Sequence, residues 1–352
     1  MPVEQTKIWT SGEDGYHTYR IPALAVAVNG DVLAFCEGRR ASSHDQGEID
    51  LLMKSSADGG RTWSDQRVIW NDTLNTCGNP CPVVDEEAGV VWLLSTWNRG
   101  DDTEPQIIAK TSRDTRRVFV LCSQDNGETW SVPREVTDKT KKPEWTWYAT
   151  GPGAGIQIKN GPYRGRLIIP CDHIEADSNC YYSHVIYSDD HGTSWQLGGR
   201  SPMDQVNECE VVELTDGALL LNMRNYDSSR RNRQVAMSRD GGLTWGGQRF
   251  DDALIEPICQ ASIRRAGKAL SETNPIVFSN PASIEKRVNM TVRTSIDDGV
   301  SWPFSHVLHS GPSGYSCLAL LADGVVACLY ECGDEVAYET LQFARFDVTQ
   351  VK

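Results

Sequence analysis

The sequence has no basic stretch: 48 acidic residues outnumber 34 basic ones and the formal charge is −14. That balance argues against nucleic acid and anionic membrane surfaces as partners, since both select a cationic face. Long hydrophobic runs are missing too. Ala23 to Val28 and Leu219-Leu220-Leu221 fall far short of the roughly 20 residues a bilayer span needs. No Cys-x-x-Cys pair occurs among the eleven cysteines. Their odd number and scatter favour small buried thiols in a reducing compartment over a disulfide framework. His173, His184 and His191 do not stand at metal-ligand spacing with a cysteine or carboxylate, so no metal or other cofactor is expected. There is no Gly-x-Ser-x-Gly nucleophile elbow. The glycine-rich segment from Gly151 to Gly155 precedes no helical pattern, which makes a phosphate cradle a poor reading. Met1 to Thr10 lacks the basic start and apolar core of a signal peptide. The expected location is therefore cytoplasmic, or secreted if a leader has been removed.

What the sequence does have is a repeat. The pattern Ser-x-Asp-x-Gly-x-(Thr/Ser)-Trp occurs five times, beginning at Ser56, Ser123, Ser188, Ser238 and Ser295, and takes up five of the eleven tryptophans. Its chemistry is that of a turn. The Asp carboxylate accepts hydrogen bonds from backbone N–H groups just ahead, the Gly supplies a positive φ, and the Trp buries a ring and offers its N–H. β-Branched segments such as Val118 to Leu121 and His184 to Tyr187 precede the boxes, placing each box at a hairpin turn. The copies stand about 60 residues apart, and six such units fill 352 residues. A unit of that length holds four strands, so the expected fold is all-β: a six-bladed β-propeller with Asp-box turns, forming one domain over residues 1–352. The sixth blade is expected to join strands near Val325 to Tyr330 and Leu341 to Phe346 to an N-terminal strand.

Three arginines do not fit turns or exposed faces. Arg20 lies in Tyr19-Arg20-Ile21-Pro22, Arg224 ends the run from Leu219 to Met223, and Arg287 precedes the run from Val288 to Val292. Taken singly, each is most simply a surface residue. In different blades of a radial fold, three guanidinium forks can converge, and such a focus suits a carboxylate or phosphate.

The Tyr-Arg-Ile-Pro motif followed by Asp boxes resembles the non-viral exo-α-sialidase (neuraminidase) family. The resemblance runs from Tyr19 to about Glu331, with its elements in the family's order. It implies that Arg20, Arg224 and Arg287 grip the carboxylate of sialic acid and that Glu331 orients the first of them. Arg39, in Glu37-Gly38-Arg39, is implied on the O4 side of the sugar, with Arg40 as its neighbouring alternative. Asp45 is implied as acid/base, Glu208 as base and Tyr315 as nucleophile. The chemistry explains these residue types. Tyrosine nucleophiles are the noted exception among retaining glycosidases. Sialic acid carries a carboxylate on its anomeric carbon, so an anionic attacker meets like charge, whereas a neutral phenol whose proton passes to a nearby carboxylate does not.

Local alternatives stand beside these assignments. Asp50 and Glu48 compete with Asp45. Glu210 and Glu213 compete with Glu208, although the alternation from Glu210 to Leu214 suits structural or exposed groups better. Trp97, Trp145 and Trp147 are candidates for the pocket wall, with core packing as the competing reading for each of them. The expected activity is metal-independent, retaining release of terminal sialic acid from sialylated glycans or glycoconjugates. Transfer to another sugar, preference for a sialic acid variant, and a non-catalytic Asp-box glycan binder are the rival readings. Oligomeric state is not indicated.

Overall fold

The computed structural model describes residues 3–267, 274–321, 324–348 and 351. The chain is nearly all β, in antiparallel meanders of four strands. Thr18–Val26, Val32–Arg39, Ile49–Ser56 and Arg67–Trp70 pair in succession. Thr76–Asp85, Val90–Asn98, Arg117–Ser123 and Arg134–Glu135 do the same. Trp145–Thr150, Leu167–Glu175, Tyr181–Ser188 and Gln196–Arg200 follow, then Val206–Glu213, Leu219–Asn225, Asn232–Ser238 and Gly246–Ile255. Ser262–Arg265, Ile276–Pro281 and Val288–Ser295 pair onward to the first half of the long strand Phe304–Leu320. The second half of that strand pairs with Val326–Cys332, which pairs with Thr340–Phe346, and the N-terminal Glu4–Thr10 completes the set. The sixth unit thus combines C-terminal strands with an N-terminal one, as the sequence suggests.

Every Asp box sits between the third and fourth strands of its meander and uses one set of bonds. In the first, Ser56 Oγ donates to Asp58 Oδ1 (2.8 Å) and accepts from the Gly60 N–H (2.8 Å), while Asp58 accepts from the Thr62 N–H (2.9 Å) and hydroxyl (2.7 Å). The other four repeat this pattern. Gly60 shows why the position is glycine: its φ is +87°, and a Cβ there would lie 2.1 Å from the Phe343 ring. The tryptophans depart from expectation in one respect. Trp63 and Trp302 find acceptors for their N–H groups, whereas the buried N–H groups of Trp130, Trp195 and Trp245 have no hydrogen-bond partner among the described residues. Their rings act mainly as apolar plugs, because area burial outweighs a single hydrogen bond.

All eleven cysteines are free thiols, nine of them buried. No helix among the described residues is long and apolar enough to cross a membrane.

Candidate active site

The first strand of every meander but the fifth slips in its pairing with the second. Pairing slips between Arg20 and Ala23, Gly78 and Cys81, Trp145 and Tyr148, Val206 and Cys209, and Ser313 and Ser316. The residues passed over include Asn79, Trp147, Glu208 and Tyr315. A bulge breaks the two-residue alternation and re-aims a side chain, so groups from different meanders are brought to one place. Two of these slips carry backbone strain, with Ile21 at φ 61° and Asn79 at φ 52°.

Tyr315, Glu208 and Arg224 form the centre. The Tyr315 hydroxyl donates to Glu208 Oε1 at 2.6 Å. Arg224 Nη1 donates to Glu208 Oε2 at 2.6 Å and to the Tyr315 hydroxyl at 3.1 Å. Burial and the Glu208 charge push the Tyr315 phenol well above its ordinary value, against the pull of Arg224, Arg287 and Arg20, so the resting phenol is neutral. Glu331 ties the second layer together. It accepts from Arg20 Nε (2.9 Å) and Nη2 (3.3 Å) and from the backbone N–H groups of Ile21 (3.0 Å) and Tyr315 (2.9 Å). Gly314 is needed for this approach, because a Cβ there would lie 2.1 Å from the Glu331 carboxylate. Arg20 and Arg287 flank the Tyr315 ring at 5.0 and 5.6 Å.

Asp45 lies on a loop and is 56 % exposed, 2.8 Å from Arg39 Nη2 and 3.8 Å from Arg20 Nη1. Partial loss of water works to raise its carboxyl, but Arg39 and Arg20 outweigh that and hold it below the usual carboxylate range. The neighbouring alternatives point elsewhere. Asp50 is fully buried and accepts from the Tyr16 hydroxyl (2.6 Å), Arg40 (2.8 Å) and Asn71 (2.5 Å). Glu48 pairs with Arg40 at 2.9 Å. Successive strand residues face opposite ways, so Arg39 reaches Glu37 and Asp45 while Arg40 turns away.

Glu210 and Glu213 are structural, but neither is exposed as the alternation allowed. Glu210 accepts from the Ala154 and Ile263 N–H groups and the Ser262 hydroxyl; Glu213 accepts from the Lys159 and Asn160 N–H groups. An inner strand has neighbours on both faces, so its outward-facing residues are covered as well. Trp145 is core, stacked on His173 at 3.4 Å. Trp97 packs with the cluster around Phe35 and donates to Asp72. Trp147 alone lies by the site, with the Arg116 guanidinium 4.0 Å from its ring.

Sequence reasoning missed several neighbours. Buried Arg116 donates to Asn79 Oδ1 and the Thr96 hydroxyl, and it carries the cue seen for Arg287, an arginine just before an apolar strand. Burial raises the carboxyl of Glu104 and, more strongly, that of fully buried Asp172; the charge of Glu208 adds to both. Tyr338, beside Arg20 and Arg287, has no cue in the sequence. A cavity of about 560 Å³ at the other ends of the inner strands is lined by Leu24, Val83, Val212 and Leu320, and none of the site residues lines it.

Fold and site together define an all-β, Asp-box protein in which arginines from three meanders surround a tyrosine–glutamate pair. The BNR repeat-like domain family matches residues 30–328. A sialidase of Micromonospora viridifaciens is 35% identical over 95% of this chain and 53% of its own length. Sialidase-3 of Mus musculus is 31% identical over 95% of this chain and 92% of its own. Among solved structures, a Hadza microbial sialidase superposes with a TM-score of 0.89 at 29% identity, over 99% of this chain and 69% of that one. The chain belongs to the sialidase family. It spans about half the length of the Micromonospora relative and 63% of a Bacteroides fragilis sialidase.

Proposed function

We propose that the protein is a retaining exo-α-sialidase that releases terminal sialic acid from sialylated glycoconjugates. The observation that carries this reading is the 2.6 Å hydrogen bond from a buried, neutral Tyr315 to Glu208, bridged by Arg224. Arg20, Arg224 and Arg287 hold the substrate carboxylate, and Arg39 faces the sugar beside Asp45. Tyr315 attacks the anomeric carbon while its proton passes to Glu208. Asp45 protonates the departing oxygen. In the second step Asp45 takes a proton from water, the sugar leaves Tyr315, and Glu208 returns the phenol proton. The meanders are read as six blades closing one domain over residues 1–352, supported by the recurring boxes and the pairing of Glu4–Thr10 with Thr340–Phe346.

The test is time-resolved NMR of products from α2,3-, α2,6- and α2,8-sialyl glycans. The α-anomer of free sialic acid should appear first. Initial β-anomer would overturn retention. Transfer to an added sugar, or an anhydro product, would assign transferase chemistry; no product in any arm would leave a glycan-binding propeller.

Arg287 makes the first quantitative expectation. Among the described residues no carboxylate lies within 4.0 Å of it, whereas Arg20 and Arg224 pair with Glu331 and Glu208. Its charge is free for a ligand, and a hydrogen bond to a charged group contributes about 1.5–3 kcal/mol. Arg287→Ala should weaken binding of an unsaturated sialic acid analogue by at least about tenfold, roughly 1.4 kcal/mol. Arg224→Ala should do the same and also disturb the Tyr315–Glu208 bond. Unchanged affinity in both folded variants, read by calorimetry, would remove the clamp.

A further inference from the structure

We propose that Tyr338 is a positioning residue that sets the geometry of the carboxylate clamp, holding Arg287 with its hydroxyl while its ring backs Arg20. The ligand this implies rests on the sialidase reading above. Arg287 Nη1 donates to the Tyr338 hydroxyl at 3.0 Å, and its Nη2 donates to the Ile258 carbonyl at 3.1 Å. Both acceptors are neutral. They fix the guanidinium without cancelling its charge, which a carboxylate at the same place would do. The Tyr338 ring centre lies 4.0 Å from the Arg20 guanidinium carbon, so Arg20 contacts the rings of both Tyr338 and Tyr315, with Glu331 on its Nε. Arg287 in turn contacts the Tyr315 ring and the Tyr338 hydroxyl, so both arginines touch both tyrosines. Aromatic faces attract the cations that repel each other, which keeps two like charges close enough to share one carboxylate.

Tyr338 is itself held from behind. Its carbonyl accepts from the Ser11 hydroxyl at 2.7 Å, and the neighbouring Glu339 carbonyl accepts from the Ser11 N–H at 2.8 Å. The Glu339 carboxylate accepts from the backbone N–H groups of Asp334, Glu335 and Val336 at 3.0, 2.8 and 2.8 Å. A side chain meant only to fill space needs no such scaffold, whereas one that aims two arginines does.

The experiment compares wild type, Tyr338→Phe and Tyr338→Ala. It measures calorimetric Kd for the unsaturated sialic acid analogue and for its neutral methyl ester, kcat and KM on an aryl sialoside, and Tm. Phenylalanine keeps the ring behind Arg20 and loses only the bond to Arg287. It should weaken the carboxylate analogue about tenfold, the low end of what one hydrogen bond to a charged group contributes. KM should rise by a similar factor with kcat within about twofold, the signature of lost uniform binding. The methyl ester and Tm should be nearly unaffected. Alanine should weaken the carboxylate analogue further, about thirtyfold or more, because the ring contact to Arg20 goes too. Wild-type affinity in Tyr338→Phe overturns the proposal and leaves the sialidase reading intact. Equal losses for carboxylate and ester also overturn it, by making the role structural. A wild-type protein that binds no sialic acid analogue overturns the sialidase reading and this proposal with it.

Discussion

Asp45→Ala should lose about 10²–10⁴-fold in kcat/KM on sialyl-lactose, the usual contribution of general acid–base catalysis. The loss should be clearly smaller on 4-methylumbelliferyl sialoside. A sugar hydroxyl departs poorly without a proton, whereas an activated phenolate leaves unaided. In the proposed mechanism Asp45 also activates water in the second step, so the aryl substrate should show a fast burst followed by slow turnover in the variant. Loss equal on both substrates, with no burst, would remove Asp45 from the acid role. The site adds a pH signature. In the free protein, Arg39 and Arg20 hold the Asp45 carboxyl below the usual range, so its acid form grows only as pH falls. On the sugar substrate, kcat/KM should accordingly rise toward acid pH. A bound substrate carboxylate competes for Arg20 and adds negative charge beside Asp45, which raises its pKa. The descending limb of kcat, which reports the complex, should then lie at higher pH than that of kcat/KM. Coincident limbs would disconnect Asp45 from the arginines.

Glu331→Ala should be the most disruptive single change in the site. The carboxylate is fully buried and satisfies Arg20 and two backbone N–H groups at once. Its removal leaves a buried guanidinium without its carboxylate, and breaking such a pair costs about 3–5 kcal/mol. For a chain of this size that corresponds to a fall in Tm on the order of 5 °C. Activity should fall by at least about a hundredfold, since Arg20 and the backbone carrying Tyr315 lose their common anchor. Glu331→Gln keeps the volume and one acceptor oxygen, so it should recover much of the Tm and less of the activity. Differential scanning calorimetry with initial rates checks both. A Glu331→Ala variant with wild-type Tm and kcat/KM would show that the anchor is dispensable.

Much of the architecture was legible because it repeats. An Asp box is a local object: Ser56, Asp58, Gly60 and Thr62 satisfy one another within seven residues, so its meaning does not depend on the rest of the chain. Five copies mark the turn between the third and fourth strands in five of the meanders. Arg20, Arg224 and Arg287 were legible only together: one arginine at the end of an apolar strand is ordinarily a surface residue, but three in different units of a radial fold can converge. Motif order then singled out Glu208 and Tyr315. The choice between Asp45 and Asp50, or Arg39 and Arg40, was much less open to reading, because neighbouring carboxylates and guanidiniums are chemically alike. Burial separates them, with Asp50 enclosed at 0% exposure and Asp45 open at 56%.

By itself, then, the sequence determined the all-β turn-and-strand pattern, which resides in local spacing, while the chemical types expected in the site came from the family resemblance of its ordered motifs. Tertiary structure alone decided which groups touch. The bulges that release Asn79, Trp147, Glu208 and Tyr315 from the strand alternation are created by pairing between strands. Tyr315 meets Glu208 across 107 positions and Arg20 meets Glu331 across 311. Tyr338 has no motif at all and acquires its place only when its loop is tied to Ser11 at the other end of the chain. Contacts of that range depend on how the meanders are set against one another, and no short window of sequence encodes that arrangement.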